Sequence, residues 1–413
     1  MVVSLHSKTP IVARFFGLWA ICAPVAEARA EPPRWSADDA VAAALSSPAL
    51  DAMLEASLAG ARAALDEATL RPLPELELSH EQILGARDRR ALEFTAGLSQ
   101  TFDLTGWRGR LRGGRVHREA ALRADAEGWR VETAAQARTA FFEVRYRQER
   151  LAALDAMSSR LGRGVAAISA RAAQGDASEY DRLRVQRAEQ IALAERVREQ
   201  SLVDEAWAVL AALSPWQARP ALIGELAPVQ SPTERAETPL PPHLARLNLT
   251  ERALASEISA GGSPWLRGWT VGAGYRAVDD AGGTGHGFVL SLALPLAFRN
   301  TEAPRVARLE AERARVAGEL SLSQAVAERT AEAARTRLDA ALAGLARLPE
   351  LAADAELTRL AELAYGAGEA TLAELLDAYA SETALRLARI DLEWEARRAA
   401  IELDRRLGLG VTR

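Results

Sequence analysis

Two stretches of this chain, 108–171 and 300–363, each read as about 64 residues of helix-forming sequence rich in Ala, Leu, Arg and Glu. At 1.5 Å per residue each is roughly 95 Å long. No compact domain encloses a helix of that length, so such a chain must enter a bundle or tube much longer than it is wide. Near the C-terminus the apolar spacing is that of a coiled coil: Leu376, Ala380, Thr383, Leu387, Ile390 and Trp394 recur at alternating four and three residues. The seam then breaks, because Arg397 and, after Ile401, Asp404 occupy its next positions. Ala396, Ala400, Leu403 and Leu407 continue the spacing in a shifted register.

The chain also contains itself twice. Gly175-Asp176-Ala177-Ser178-Glu179-Tyr180-Asp181 and Gly368-Glu369-Ala370-Thr371-Leu372-Ala373-Glu374 share Gly, acid, Ala, hydroxyl and, three residues on, a second acid. Leu98-Ser99-Gln100-Thr101-Phe102 and Leu292-Ala293-Leu294-Pro295-Leu296 match at nearly the same offset, about 193 residues. Two matches at one offset indicate a duplicated unit. Between the halves, Pro215, Pro220, Pro228, Pro232, Pro239, Pro241 and Pro242 are spaced too closely for helices or central strands. The expected organisation is a signal peptide over 1–30, a first repeat over 31–214, a proline-rich linker over 215–242 and a second repeat over 243–413. Each repeat is a helix, a strand pair (about 74–104 and about 269–297) and a long helical pair.

The strands are read from period-two alternation. Leu92, Phe94, Ala96, Leu98, Gln100, Phe102 and Leu104 alternate with Glu93, Thr95, Gly97, Ser99, Thr101 and Asp103; Leu76 and Leu78 alternate with Glu75, Glu77 and Ser79. In the second half, Trp269, Val271, Ala273 and Tyr275 alternate with Thr270, Gly272, Gly274 and Arg276, and Phe288, Leu290, Leu292, Leu294 and Leu296 alternate with small or polar residues. Gly85 to Arg90 and Asp279 to Gly287 supply turns. These strands reach the length that crosses a membrane. Alternation alone serves equally for hairpins packed on a soluble helical core. Export and the aromatic residues near strand ends (Trp107, Trp265, Trp269, Phe298) favour lipid. Phe94, Leu98, Phe102, Leu290, Leu292 and Leu294 would then face lipid, and Glu93, Thr95 and Ser99 the lumen. Four strands cannot close a barrel, and an open edge in lipid is costly, so several chains would have to share one barrel.

The N-terminus reads as an export address. Lys8 and Arg14 precede an apolar run from Phe15 to Val25, and Ala28-Arg29-Ala30 supplies a small-x-small cleavage site. Cys22, the only cysteine, lies within it. Cleavage after Ala30 leaves a mature chain with no thiol chemistry; lipidation of Cys22 is the rival reading, set against the bulky Trp19-Ala20-Ile21 before it. No later apolar run is long enough for a transmembrane helix. Acids interleave with the arginines throughout, which argues against a nucleic-acid face. His6, His80, His117, His243 and His286 are scattered without metal-ligand spacing, and neither a phosphate loop nor a nucleophile elbow appears. No cofactor, metal site or catalytic residue is expected.

Four segments carry a family resemblance: Pro74-Glu75-Leu76-Glu77-Leu78, Leu98 through Gly106, Leu292 through Leu296, and Tyr365-Gly366-Ala367-Gly368-Glu369-Ala370-Thr371-Leu372-Ala373-Glu374-Leu375-Leu376-Asp377-Ala378. In order and duplication they resemble the TolC-type outer membrane factors of tripartite efflux systems, with Pro74-Glu75-Leu76 and Leu98-Ser99-Gln100 nearer to the heavy-metal branch. The resemblance implies a mixed α/β membrane protein built as a homotrimer. A twelve-stranded β-barrel in outer-membrane lipid would continue as a twelve-helix periplasmic tube. It implies a passive exit duct for metal ions or small toxic compounds in a Gram-negative bacterium. Its partners would be a periplasmic adaptor and an inner-membrane pump of the resistance-nodulation-division type. The alternative is a soluble periplasmic coiled-coil adaptor or scaffold, which predicts one helical hairpin within one β-domain.

The resemblance also places sites. The turns between long helices would form the periplasmic tip where adaptors dock: Gly175 and Gly368 ending one helix, Ser178 and Thr371 capping the next, with Asp181 and Glu374 completing capping boxes. The capping reading alone accounts for the glycines and hydroxyls. Glu374 and Asp377 resemble acidic rings at the closed pore, with Tyr365 also at a gate position; two solvated helix acids are the plainer reading. Ala370 stands where the family has its gate-linking arginine.

Overall fold

The computed structural model describes residues 33–84, 90–104, 107–216, 219–228, 240–259, 267–280, 282–294, 303–349 and 351–409. The signal segment with Cys22, the turn over 85–89, Trp265, Pro295, Leu296 and Phe298, and linker residues 229–239 lie outside the described residues.

The chain begins with β1 (Arg34–Trp35), α1 (Ala37–Leu45) and α2 (Pro48–Thr69), then β2 (Glu75–Leu84), β3 (Arg90–Asp103) and the 67-residue helix α3 (Trp107–Ala173). It continues through α4 (Glu179–Leu213), β4 (Ala221–Leu222), α5 (Pro242–Ser259), β5 (Arg267–Asp280) and β6 (Gly283–Ala293) to α6 (Ala303–Leu345), α7 (Leu351–Ala367) and α8 (Leu372–Arg406). No described helix is long and apolar enough to cross a membrane.

The first long run is one helix, as its spacing predicts. The second is not. α6 ends at Leu345 and α7 starts at Leu351, with Pro349 between them. Proline lacks the amide a helix interior needs and disfavours helical geometry in the residue before it, so the run splits there.

The helices form a slab. α4 packs on α3, α3 on α8, and α8 on both α6 and α7, while α5 bridges α3 and α6. The largest core lies at mid-length. There Phe141, Phe142 and Val144 of α3 meet Val203, Trp207 and Leu210 of α4 and Ile390 of α8. Burying an aromatic or branched side chain of this kind contributes about 1.5–3 kcal/mol.

The proline-rich connector returns to this core. β4 pairs in parallel with β1, Trp216 packs edge-on between Trp35 and Trp207, and the buried Ser214 hydroxyl donates to Ala40 O at 2.8 Å. Arg397 completes the belt. Its guanidinium donates to the carbonyls of Leu226 (2.8 Å), Glu225 (3.1 Å) and Ala227 (2.7 Å) and lies 4.2 Å from the Phe142 ring centroid. Burial pulls this guanidinium down to about 10, so it stays charged at neutral pH and needs all of those carbonyls. The residue that interrupts the coiled-coil seam therefore clamps the connector to α8.

Candidate functional site

The four long strands form one sheet in the order β2-β3-β5-β6, antiparallel throughout. Register sorts their side chains by chemistry. Leu76, Leu98, Ala273 and Leu290 form one cross-strand row; Leu78, Ala96, Tyr275 and Phe288 form the next; Gln100, Val271 and Leu292 lie on the other side. All are on one face. Among the described residues no helix covers that face: Phe288 is 92% exposed, Leu290 84% and Leu76 67%. A soluble protein does not leave such a continuous apolar surface open without a partner for it.

The opposite face carries Glu75, Glu77, Glu81, Glu93, Thr95, Ser99, Thr101, Thr270, Arg276 and Ser291 with Gly97, Gly272 and Gly274. Arg276 pairs with Glu93, and Thr101 and Thr270 share a hydroxyl hydrogen bond of 2.9 Å. Aromatic residues bracket the apolar band. Phe102 and Trp269 are partners at the helix end, while Phe94, Tyr275 and Phe288 lie toward the hairpin turns. Phe94 and Phe102 are eight residues apart, about 26 Å along the strand and about 20 Å along a membrane normal at barrel tilt.

The second candidate region is the far end of the helices. Both predicted glycines have left-handed backbones, φ 85° at Gly175 and 77° at Gly368. At each, two amides reach back to the helix end. Asp176 N–H donates to Arg171 O (2.9 Å) and Gly175 N–H to Ala172 O; Glu369 N–H donates to Ala364 O (2.9 Å) and Gly368 N–H to Tyr365 O. This is a Schellman stop, which a Cβ would strain. The next helices start at caps. Asp181 N–H donates to Ser178 Oγ (3.0 Å), and Thr371 with Glu374 makes the full box, Glu374 N–H to Thr371 Oγ1 (3.3 Å) and Thr371 N–H to Glu374 Oε2 (2.7 Å). The bonds from Thr371 hold the Glu374 carboxyl below its ordinary range. Glu374 is therefore part of the helix start, while Asp377 is simply exposed one turn on.

The two tips pack together. Leu372, at the start of α8, buries against Ile168 of α3 and Val185 of α4, with Ala177 and Tyr365 at the margin. Tyr365 is half-buried, and Arg171 in the last turn of α3 lies 5.7 Å from its ring centroid. Further up, Thr358 of α7, only 3% exposed, donates to Glu382 of α8, which also accepts from Arg160 of α3 at 2.7 Å. Tyr379 donates to Glu362 at 2.9 Å, and burial pushes its phenol up to about 12. Sequence reasoning singled out Tyr365, Gly368, Thr371, Glu374 and Asp377 but missed Arg171, Arg160, Glu382 and Thr358. Their partners sit on other helices, and spacing along one helix does not report them. Among the described residues, no group of three or more His, Cys, Asp or Glu side chains could hold a metal ion.

No family model matches the sequence, and no curated protein does. Solved structures do match over nearly their full lengths. CusC, whose structures concern transmembrane channel formation, superposes with a TM-score of 0.74 at 16% identity over 91% of this chain and 92% of its own. The outer-membrane channel OprN gives 0.74 at 16% identity over 91% and 90%. The outer membrane protein VceC of Vibrio cholerae gives 0.71 at 16% identity over 91% and 96%. This chain thus has the fold of those proteins, that of the TolC-type outer membrane factors.

Proposed function

We propose that three copies of this chain close a twelve-stranded barrel in the outer membrane, continued by a twelve-helix periplasmic tube. The assembly acts as a passive exit duct, without a catalytic step. The observation that carries this reading is the sheet: one continuous apolar face with aromatic borders, one polar face, and two edge strands, β2 and β6, without a further strand among the described residues. In lipid those edges leave backbone groups unpaired at several kcal/mol each, and four strands cannot close on themselves. Neighbouring copies supply the missing partners.

The helical layer supports the same arrangement. Its margins are α4 on one side and α6 with α7 on the other. Each margin exposes apolar residues: Leu183 and Ile191 on α4, Leu357, Leu360 and Leu363 on α7, and Leu322 and Val326 on α6. Leu183 stands five residues beyond the Ser178 cap and Leu363 five residues before Gly368, so both lie about 7.5 Å from the tip. A rotation axis along the tube preserves height, so α4 of one copy meets α7 of the next in a head-to-tail ring.

The tip formed by Gly175, Ser178, Asp181, Gly368 and Thr371 would receive a periplasmic adaptor, with an inner-membrane pump of the resistance-nodulation-division type behind it. Glu374, Asp377 and Tyr365 would line the gate. Metal ions or small toxic compounds would be the cargo, the metal reading following the Pro74-Glu75-Leu76 and Leu98-Ser99-Gln100 segments. The test is current. Purified, detergent-extracted protein added to a planar bilayer should give discrete unitary steps; protein that remains in the soluble periplasmic fraction and conducts nothing would favour the adaptor alternative.

A further inference from the structure

On the central strands the polar face of the sheet is less exposed than the apolar one, although among the described residues no helix packs on either. Along β3, Glu93, Thr95, Gly97, Ser99 and Thr101 are half-buried while Leu92, Phe94, Leu98 and Phe102 are exposed, and Gly272 on β5 is fully buried. Curvature toward the polar face accounts for that pattern in a single layer. On that face Gly97 and Gly274 face each other across β3 and β5. A Cβ placed on Gly274 would lie 2.8 Å from Ala96 O and 2.9 Å from Gly97 Cα. Opposing Cβ atoms in an ordinary pair sit about 4.5–5.5 Å apart. A Cβ on Gly272 would run into Ser291 Oγ and lie 3.3 Å from Ser99 Cβ. Gly287, on the same face of β6, has open space around it, and a Cβ on Gly285 would meet only Val278 O at an ordinary 3.9 Å.

We propose that Gly97, Gly272 and Gly274 form a crease that bends each four-stranded sheet toward its polar face and so sets the bore of the membrane segment. The inference rests on the barrel reading. Glycine is required at Gly274 because the obstructing atoms are backbone, which cannot turn aside. Gly272 differs, since its main obstruction is a hydroxyl that can be removed. The crease also leaves this stretch of the concave face without side chains, which keeps the wall smooth where it folds most sharply.

The test compares Gly274→Ala, Gly272→Ala, Gly272→Ala with Ser291→Ala, and Gly287→Ala as control, read as heat-modifiable oligomer on gels and as unitary conductance. Gly274→Ala should lower oligomer yield about tenfold, and Gly272→Ala should lower it less, as expected for overpacking at a tight contact. The Gly272→Ala, Ser291→Ala pair should recover wild-type yield and conductance, and Gly287→Ala should match wild type. Gly274→Ala assembling at wild-type yield, or the double variant failing to improve on Gly272→Ala, would overturn the crease. Wild-type protein that forms no heat-modifiable oligomer would instead overturn the barrel reading on which it depends.

Discussion

Leu290→Arg is the most exposing substitution for the lipid assignment. Leu290 lies in the cross-strand row with Ala273, Leu98 and Leu76, midway between the aromatic borders, and is 84% exposed in a single chain. If that face meets lipid, the row is near the bilayer midplane, where an arginine costs about 2–4 kcal/mol per chain. Three copies make about 6–12 kcal/mol per assembly, a factor of more than about ten thousand at 1.4 kcal/mol per tenfold. Phe288→Arg, one cross-strand row nearer the hairpin border, should cost less than Leu290→Arg because its side chain reaches further toward the interface. Glu77→Arg on the opposite face should be tolerated, since Glu77 is exposed on the polar side. Ser99, also on that side, is a poorer control because it lines the glycine crease. Heat-modifiable oligomer in outer-membrane fractions measures all three. The order of assembly should be Glu77→Arg, then Phe288→Arg, with Leu290→Arg far below. Leu290→Arg assembling as well as Glu77→Arg would refute the orientation of the sheet.

Arg397→Gln removes the clamp on the connector and should destabilise the folded chain by about 3 kcal/mol, because it strips carbonyl partners from a buried segment; denaturant unfolding against the exposed Arg347→Gln measures it. Burial alone would raise the Glu382 carboxyl, but its bonds to Arg160 and Thr358 outweigh that and hold it low. A depressed carboxyl contributes stability above its unfolded value near 4.5 and loses it as pH falls through the folded value, so acid should loosen α8 from both α7 and α3. Proteolysis around residues 346–350 should accordingly rise below about pH 4 in wild type, and Glu382→Gln should flatten that pH dependence. Glu374→Gln with Asp377→Asn should weaken divalent-cation block of single-channel current while the oligomer still forms, because glutamine can keep the cap; block equal to wild type and to Glu310→Gln would place these acids outside the throat.

How much of this was legible in the sequence differs by element. The strands and their faces were, because period-two alternation survives in Leu92–Leu104 and Trp269–Arg276; their register was not, and β5 runs through Asp280 and β6 starts at Gly283, inside the stretch read as a turn. The tips were, because a left-handed glycine and a capping hydroxyl are local chemistry. The split between α6 and α7 was written in Pro349 but outweighed by the helical composition around it. The return of the connector was not legible: β1 and β4 are two residues each, and Arg397 looked like a fault in an apolar seam until its carbonyl partners were in view. Glu374 was read as a gate acid from family position. The capping-box motif gave it a second role at the helix start as well, and its geometry bears that role out.

The central claim is that one chain is a third of a barrel. Native mass measurement of the protein extracted from outer membranes in mild detergent tests it most directly. A three-chain barrel gives a single species with the mass of three mature chains; a monodisperse single chain with its β-structure intact would refute it.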